Sequence, residues 1–288
     1  MLTLTPICVR YWLEIHIGNL EKVYLKEWDV IFFIKRINRF MSKNNETKNM
    51  KPRILYLDMA YTLKMVRERR LEQELLSRDC GGFFEHVWGV HPIADIPENR
   101  KPANDGFKVS VVEFSKNQTI IEGSSSYYSL LRFIFPLNFL VSQIRFLIYL
   151  IRLVKRERIS IILCADPYFL GILGMLLKIF TKAKLVIWVV ANFDELFEAN
   201  GALGAPRILR RRWIEKIVQR RVFQSADLVA GGNQNNLQFA LNNGASLDKS
   251  TVFTNGKLIH QEHLLERELR EKDDLFLKST ARYHFIYV

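Results

Sequence analysis

The chain has 288 residues, with 42 Lys and Arg against 30 Asp and Glu, for a formal net charge of +12. Its 49% apolar and 25% charged content excludes a disordered chain, a collagen-like repeat and a disulfide scaffold. The three cysteines, Cys8, Cys80 and Cys164, are scattered and form neither a disulfide framework nor a zinc spacing, so a reducing compartment is expected.

Residues 1–50 differ in pattern from the rest of the chain. Trp28–Phe40 has the makings of a short helix, and the polar run at 42–49 reads as a linker, so this segment is expected to be an extension outside the folded core. It lacks the basic start and the small-residue cleavage site of a secretory signal.

From Pro52 the pattern becomes regular. Arg53–Leu57 is a short apolar run closed by Asp58 and predicts a buried strand; Tyr61–Leu76 predicts a helix. Phe84–Val90 and Phe107–Phe114 are β-rich. Tyr127–Arg158 predicts a long helical region, then Ser160–Cys164 a strand ending in Asp166-Pro167, and Tyr168–Phe180 a helix. Lys184–Ala191 reads as a strand buried on both faces, Ala205–Gln224 as a basic helix, and Asp227–Ala230 as a strand ending in Gly231-Gly232. Asn233–Leu241 predicts a helix, and Thr251–Thr254 a strand ending in Asn255-Gly256.

Short apolar strands alternating with helices mean a mainly parallel sheet with helices on both faces. The expectation is a doubly wound, Rossmann-like α/β domain over residues 51–256, joined by right-handed crossovers. Residues 257–282 are charged, and Tyr283–Val288 reads as one more apolar strand. Residues 257–288 are therefore expected to be a linker and the first strand of a second domain.

The most apolar stretch, Leu130–Val154, contains Arg132, Pro136, Arg145 and Arg152 and is not a clean transmembrane helix. Charge is concentrated: residues 132–158 carry six basic side chains against one acidic, and residues 204–224 seven against one. In the first segment Leu137, Leu140, Val141, Ile144, Leu147, Ile148, Ile151 and Val154 share one helical stripe; Asn138, Ser142, Arg145, Tyr149, Arg152 and Arg156 form the opposite one. Such a helix either packs on the sheet with its polar face in water or lies on an anionic membrane surface, with Arg145, Arg152, Arg210, Arg211 and Arg212 as contacts. Aromatics do not cluster among these arginines, so nucleic acid is not an expected partner.

Ligands of open parallel sheets bind beyond the carboxyl ends of the strands. The residues there are Asp58 and Tyr61, His91, Asp166 and Tyr168, Asn192, Asp194 and Glu195, Gly231, Gly232 and Asn233, and Asn255 with Gly256. Asp, Asn and Gly also cap helices and close turns, so each has a purely structural alternative. His86 and His91 lie five apart and point to opposite faces of a strand, which excludes a shared metal. His91, before Pro92, is the better candidate for a substrate contact or a general acid or base. His260 and His263 have no third ligand nearby, and no metal is expected. Neither a Gly-x-Gly after the first strand nor a Gly-Lys-Ser/Thr loop occurs, which argues against an NAD-dependent dehydrogenase and a P-loop nucleotidase.

The order of elements resembles the N-terminal half of a GT-B glycosyltransferase of the family-4-like type. The residues that carry the resemblance are Arg53–Asp58, Asp166-Pro167, Val186–Asp194, the basic helix, Ser225–Val229 and Val252–Gly256. It implies a transferase that moves a sugar from a nucleotide sugar, the donor substrate, to a glycan or lipid-linked acceptor, with no further cofactor, in polysaccharide biosynthesis at the cytoplasmic face of a membrane. Tyr61, His91, Asp166, Asn192, Asp194 and Asn233 would contact the acceptor or substrate, and Asn255 and Gly256 would form the hinge. The resemblance also implies a second Rossmann domain holding the donor. Residues 1–288 do not contain it, so the chain is expected to be truncated, or completed by a C-terminal domain on another chain, and inactive alone. Where the family usually has glycines after the first strand, this chain has Tyr61-Thr62-Leu63. The alternative is a catalytically silent binding module that docks to a membrane or a partner chain through its basic helices.

Overall fold

A computed structural model describes residues 51–94, 109–125, 135–201, 203–204, 209 and 211–253. The chain divides into Met1–Asn255 and Gly256–Val288, and every described residue lies in the first unit. The expectations for residues 1–50 and 257–288, and for Arg210, Asn255 and Gly256, lie outside the described residues.

The strands are β1 (Arg53–Leu57), β2 (His86–His91), β3 (Ser110–Ser115), β4 (Gln118–Glu122), β5 (Ile161–Cys164), β6 (Lys184–Val189), β7 (Leu228–Gly231) and β8 (Ser250–Val252). The helices are α1 (Leu63–Glu68), α2 (Glu72–Leu76), α3 (Phe135–Arg156), α4 (Phe169–Thr181), α5 (Phe193–Asn200), α6 (Arg212–Ser225) and α7 (Gln234–Asn242). The eight strands form one sheet in the order β3-β4-β2-β1-β5-β6-β7-β8. All neighbours are parallel except β3 and β4. This is the doubly wound, mainly parallel α/β sheet that the alternation of strands and helices predicts.

Alternation along each strand builds two apolar faces. Leu55, Leu57, Ile162, Cys164, Leu185, Ile187 and Val229 face one side. There they meet Phe146, Leu150 and Leu153 of α3, Leu170, Leu173 and Leu177 of α4, Val222 and Phe223 of α6, and Phe239 of α7. Ile54, Tyr56, Ile161, Leu163, Val186, Leu228 and Ala230 form the opposite face, with Phe84 and Phe253. A smaller cluster packs Leu63, Val66 and Leu75 of α1 and α2 against Ile120.

Four local features differ from the sequence expectation. The helix over Tyr61–Leu76 is broken into α1 and α2, with Arg70 in a left-handed conformation (φ 54°) between them. After Val66, positions three and four residues on are Arg69 and Arg70, so the apolar stripe lapses and the chain turns to bury Leu71 and Leu75. Strand β4 is an addition to the expected elements. Its ends are polar, and both are buried with partners: Gln118 Nε2 donates to the Leu76 carbonyl at 2.8 Å, and Glu122 Oε1 accepts from Leu63 N at 2.6 Å. The segment after β6 holds a separate helix, α5, capped by Asn192 and ended by a left-handed Gly201 (φ 67°), before α6 begins at Arg212.

Helix α3 is turned relative to the expected stripes. Asn138 and Ser142, from the polar stripe, are buried, while Leu137, Leu140, Ile144 and Ile148 are exposed. The sheet is covered mainly by Phe146, Leu150 and Leu153, which lie in neither expected stripe, together with Val154 from the apolar one. The buried polar groups have a destination: Ser142 Oγ donates to the Ser124 carbonyl at 2.6 Å.

Helix α4 lies unusually close to its neighbours. A side chain at Gly171 would put a Cβ 2.7 Å from Val222 Cγ1, and one at Gly174 would sit 2.8 Å from Leu185 Cδ1 and collide with Cys164 Sγ. Overfilling a packed core costs about 1–3 kcal/mol. Gly174→Val is expected to lower the thermal midpoint by at least about 2 °C, at about 2–4 °C per kcal/mol for this size. An unchanged melt would show that α4 stands off the sheet.

Candidate functional site

The parallel strands end along one rim. The chain order reverses between β1 and β5, because β2 lies on one side of β1 and β5 on the other. Such a switch point leaves a crevice between the two outgoing loops. Asp58 leaves β1 and Asp166 follows β5. Each folds back on its own loop: Asp58 Oδ1 accepts from Ala60 N and Asp166 Oδ1 from Tyr168 N, both at 2.7 Å. Asp58 is further tied by Arg78, whose Nη2 lies 2.6 Å from Oδ2 and whose guanidinium covers the Tyr56 ring at 4.1 Å.

Among the described residues Asp166 takes part in no ion pair. Burial pushes its carboxyl up to about 7, with the Asp58 charge adding to the effect and the Tyr168 and Leu170 amides opposing it. His91 ends β2 and is buried. Its Nε2 lies 3.1 Å from the Met59 carbonyl, which can only accept, so Nε2 carries the proton. Its Nδ1 is then a bare acceptor, buried without a hydrogen-bond partner. Burial lowers the affinity of the ring for a second proton, and the nearby Asp58 and Glu122 only partly offset this. His86 lies on the other face of β2, against Thr119 and Trp88.

The remaining candidates are engaged in holding the rim together. Asn192 caps α5, accepting from Asp194 N and Glu195 N, and Asn233 caps α7, accepting from Asn236 N. The Tyr61 hydroxyl donates to Glu74 Oε1 at 2.8 Å; burial first, then this carboxylate, raise its pKa to about 12. Asp194 lies in a closed ring of hydrogen bonds. Arg212 donates to Asp194 and to the Tyr168 hydroxyl; Tyr168 donates to Gln219 Oε1, Gln219 to Asn243 Oδ1, and Asn243 back to Asp194 Oδ2. Burial pushes the Asp194 carboxyl up, but Asn243, Arg212 and Lys216 together hold it below its ordinary value. Among the described residues no group of His, Cys, Asp and Glu side chains could hold a metal ion.

The expectation that Arg212 belongs to an exposed basic surface with Arg210 and Arg211 is corrected. Its side chain is 13% exposed and reaches Asp194, Tyr168 and the fully buried Glu215, 2.7 Å from Nη1. Glu215 in turn accepts from Gly204 N at 2.7 Å. In the sequence the three arginines read as one charge run; the signal for Arg212 is Glu215 three residues on, at ion-pair spacing on one helix. Arg211, Arg145 and Arg152 are exposed. Arg78 and Glu122 shape the rim without being strand-end loop residues, and neither carries a local sequence signal.

Between about pH 4 and about pH 7 the folded chain holds a proton on Asp166 that the unfolded chain has released. Its contribution to stability therefore falls as pH rises through that window and levels off above it. Asp166→Asn keeps the acceptor for Tyr168 N and removes the charge. It is expected to melt about 2–8 °C above the parent at pH 8, as about 1–2 kcal/mol implies, with the gap closing toward pH 4. A gap independent of pH would show that Asp166 titrates normally. Arg212→Ser leaves Glu215 buried without its cation, a loss of about 3 kcal/mol and more than about 5 °C, whereas exposed Arg211→Ser should change the melt by less than about 1 °C. Equal melts for the two variants would mean that the ring does not form.

No family model and no curated protein matches the chain. Among solved structures, the chain is similar to Anabaena Alr3699/HepE in complex with UDP and glucose: TM-score 0.39, 12% identity, covering 71% of this chain and 44% of that one. For the same protein in complex with UDP-glucose the TM-score is 0.39 at 11% identity, covering 69% and 43%. A third likeness is to α,α-trehalose 6-phosphate synthase from Burkholderia multivorans, with TM-score 0.37 and 13% identity, covering 69% and 46%. The chain spans less than half the length of each of these structures.

Proposed function

We propose that residues 51–256 form the N-terminal, acceptor-side unit of a GT-B glycosyltransferase that moves a sugar from a nucleotide sugar to a glycan or lipid-linked acceptor. The observation that carries the reading is the pair of groups beside the switch point with proton-accepting capacity left over. They are Nδ1 of neutral His91, ending β2, and the Asp166 carboxyl, after β5. The two strands flank β1 and lie two strand spacings, about 10 Å, apart.

Glycosyl transfer makes a bond from an acceptor hydroxyl oxygen to the anomeric carbon while the bond to the leaving diphosphate breaks. The hydroxyl proton needs an acceptor, and a group that is neutral and basic near pH 7 suits that role. His91 would orient or receive that proton, and the Asp166 carboxyl would hydrogen-bond a neighbouring sugar hydroxyl. Charge on the departing diphosphate is met by cations and backbone dipoles in this class of reaction. In this reading the donor is held mainly by a second domain.

The chain by itself should bind glycan or lipid-linked sugar without turning over nucleotide sugars. Ligand-observed NMR against a panel of oligosaccharides should show contact that His91→Gln and Asp166→Asn weaken by about tenfold, near the 1.4 kcal/mol of one hydrogen bond. Turnover of a nucleotide sugar by the purified chain, or binding of a dinucleotide in place of any sugar, would overturn the reading.

A further inference from the structure

The outward face of α3 is apolar where a soluble helix would be polar. Leu137, Leu140, Ile144 and Ile148 are 44%, 53%, 48% and 44% exposed, and their spacing of three, four and four residues places them in one stripe along the helix. The stripe is about 16 Å long at 1.5 Å per residue. Arg145, Arg152 and Arg156 follow one another along its flank, and Lys155 continues its line; all four are exposed. The helix, Phe135–Arg156, contains no acidic side chain at all.

Leu137–Arg156 contains an 18-residue window with a mean hydropathy of 1.6, enough in length and composition for a span. The other side of the helix rules a span out for the folded protein. Phe146, Leu150, Leu153 and Val154 pack on the sheet, and Ser142 is bonded to the loop after β4. The helix therefore has one face committed to the core and one apolar face, edged with cations, turned outward.

We propose that this face docks α3 in the plane of an anionic lipid bilayer, with the four aliphatic side chains entering the acyl boundary and the cations meeting lipid phosphates. Charge complementarity selects this occupant. A second copy of the chain packed on the same stripe would bring two rows of arginine together, whereas an anionic surface satisfies the apolar stripe and the flanking charge at once. The docking face does not include the rim residues, so it stands or falls separately from the proposed reaction.

The test is flotation of the full chain with vesicles of phosphatidylcholine, and of phosphatidylcholine mixed in equal parts with phosphatidylglycerol. Binding is expected to be at least about tenfold stronger to the anionic vesicles and to fall with salt. Leu140→Glu combined with Ile144→Glu and Ile148→Glu should abolish it. Arg152→Ser combined with Lys155→Ser should weaken it by about tenfold or more. All five side chains are exposed, so melts should match the parent; if the Glu variant does not fold, the Arg/Lys variant and the salt series decide. No binding to either vesicle, equal binding to both, or binding untouched by the variants would overturn the proposal. So would a concentration-dependent dimer in sedimentation that the Glu variant dissolves, because the stripe would then be a self-association surface.

Discussion

The C-terminal half of the sheet is held at its rim by one closed circuit of polar contacts. Each link has a direction. Arg212 is the source of donors on both sides, Asp194 is the acceptor at which both paths end, and Tyr168, Gln219 and Asn243 each accept once and donate once between them. The circuit joins the loop after β5, helix α5, helix α6 and the end of α7. Three crossovers, β5–β6, β6–β7 and β7–β8, are thus tied together at the rim in addition to their packing in the apolar core. Buried polar networks either satisfy every member or weaken the fold. This one is satisfied, and it takes up the charge that burial of Glu215 would otherwise leave uncompensated.

The rim shows why function and architecture draw on the same residues in a parallel sheet. Every parallel strand leaves at the same edge, so backbone groups there need short acceptors. Asp58, Asp166, Asn192 and Asn233 supply them two or three residues ahead. A carboxylate that closes a turn has one oxygen committed and one to spare. What separates candidates for chemistry from plain caps is what remains after the turn is closed. Asp58 spends its second oxygen on Arg78. Among the described residues Asp166 accepts only from the Tyr168 and Leu170 amides and meets no cation, and His91 keeps a bare Nδ1; both sit in a desolvated setting, where such differences have the greatest effect on protonation.

Much of this was legible in the residues. β1, β5, β6 and β7 are short and buried on both faces, and such runs announce themselves through composition alone. The strand-end residues could be placed on one rim because topology, not side-chain detail, decides that. The opposite facing of His86 and His91 needs only the parity of a strand. What was not legible depends on contacts far apart in sequence. Gln118 and Glu122 make β4 look unsuited to a core until Leu76 and Leu63 are seen beside them. The direction in which α3 faces is set by the fit of Phe146 and Leu150 to the sheet and by Ser124 waiting for Ser142, neither visible in a helical wheel. Arg212 looks like its neighbours until its partners at positions 168, 194 and 215 are assembled around it.

The close approach of α4 to the sheet has a further effect on the thiol beneath it. Cys164 is fully enclosed, pressed against the helix at Gly174, and burial keeps its sulfur protonated well above the ordinary range. Cys80, partly buried in the turn after α2, also has its thiol pushed up by burial, to about 12. A thiolate is the reactive form, and Cys164 supplies none while the helix is seated. Alkylating reagents and peroxides would meet Cys164 only in the moments when α4 lifts away, so its rate of modification is a clock for the opening of that helix from the sheet, a motion the absorbance or ellipticity of the whole chain would average away.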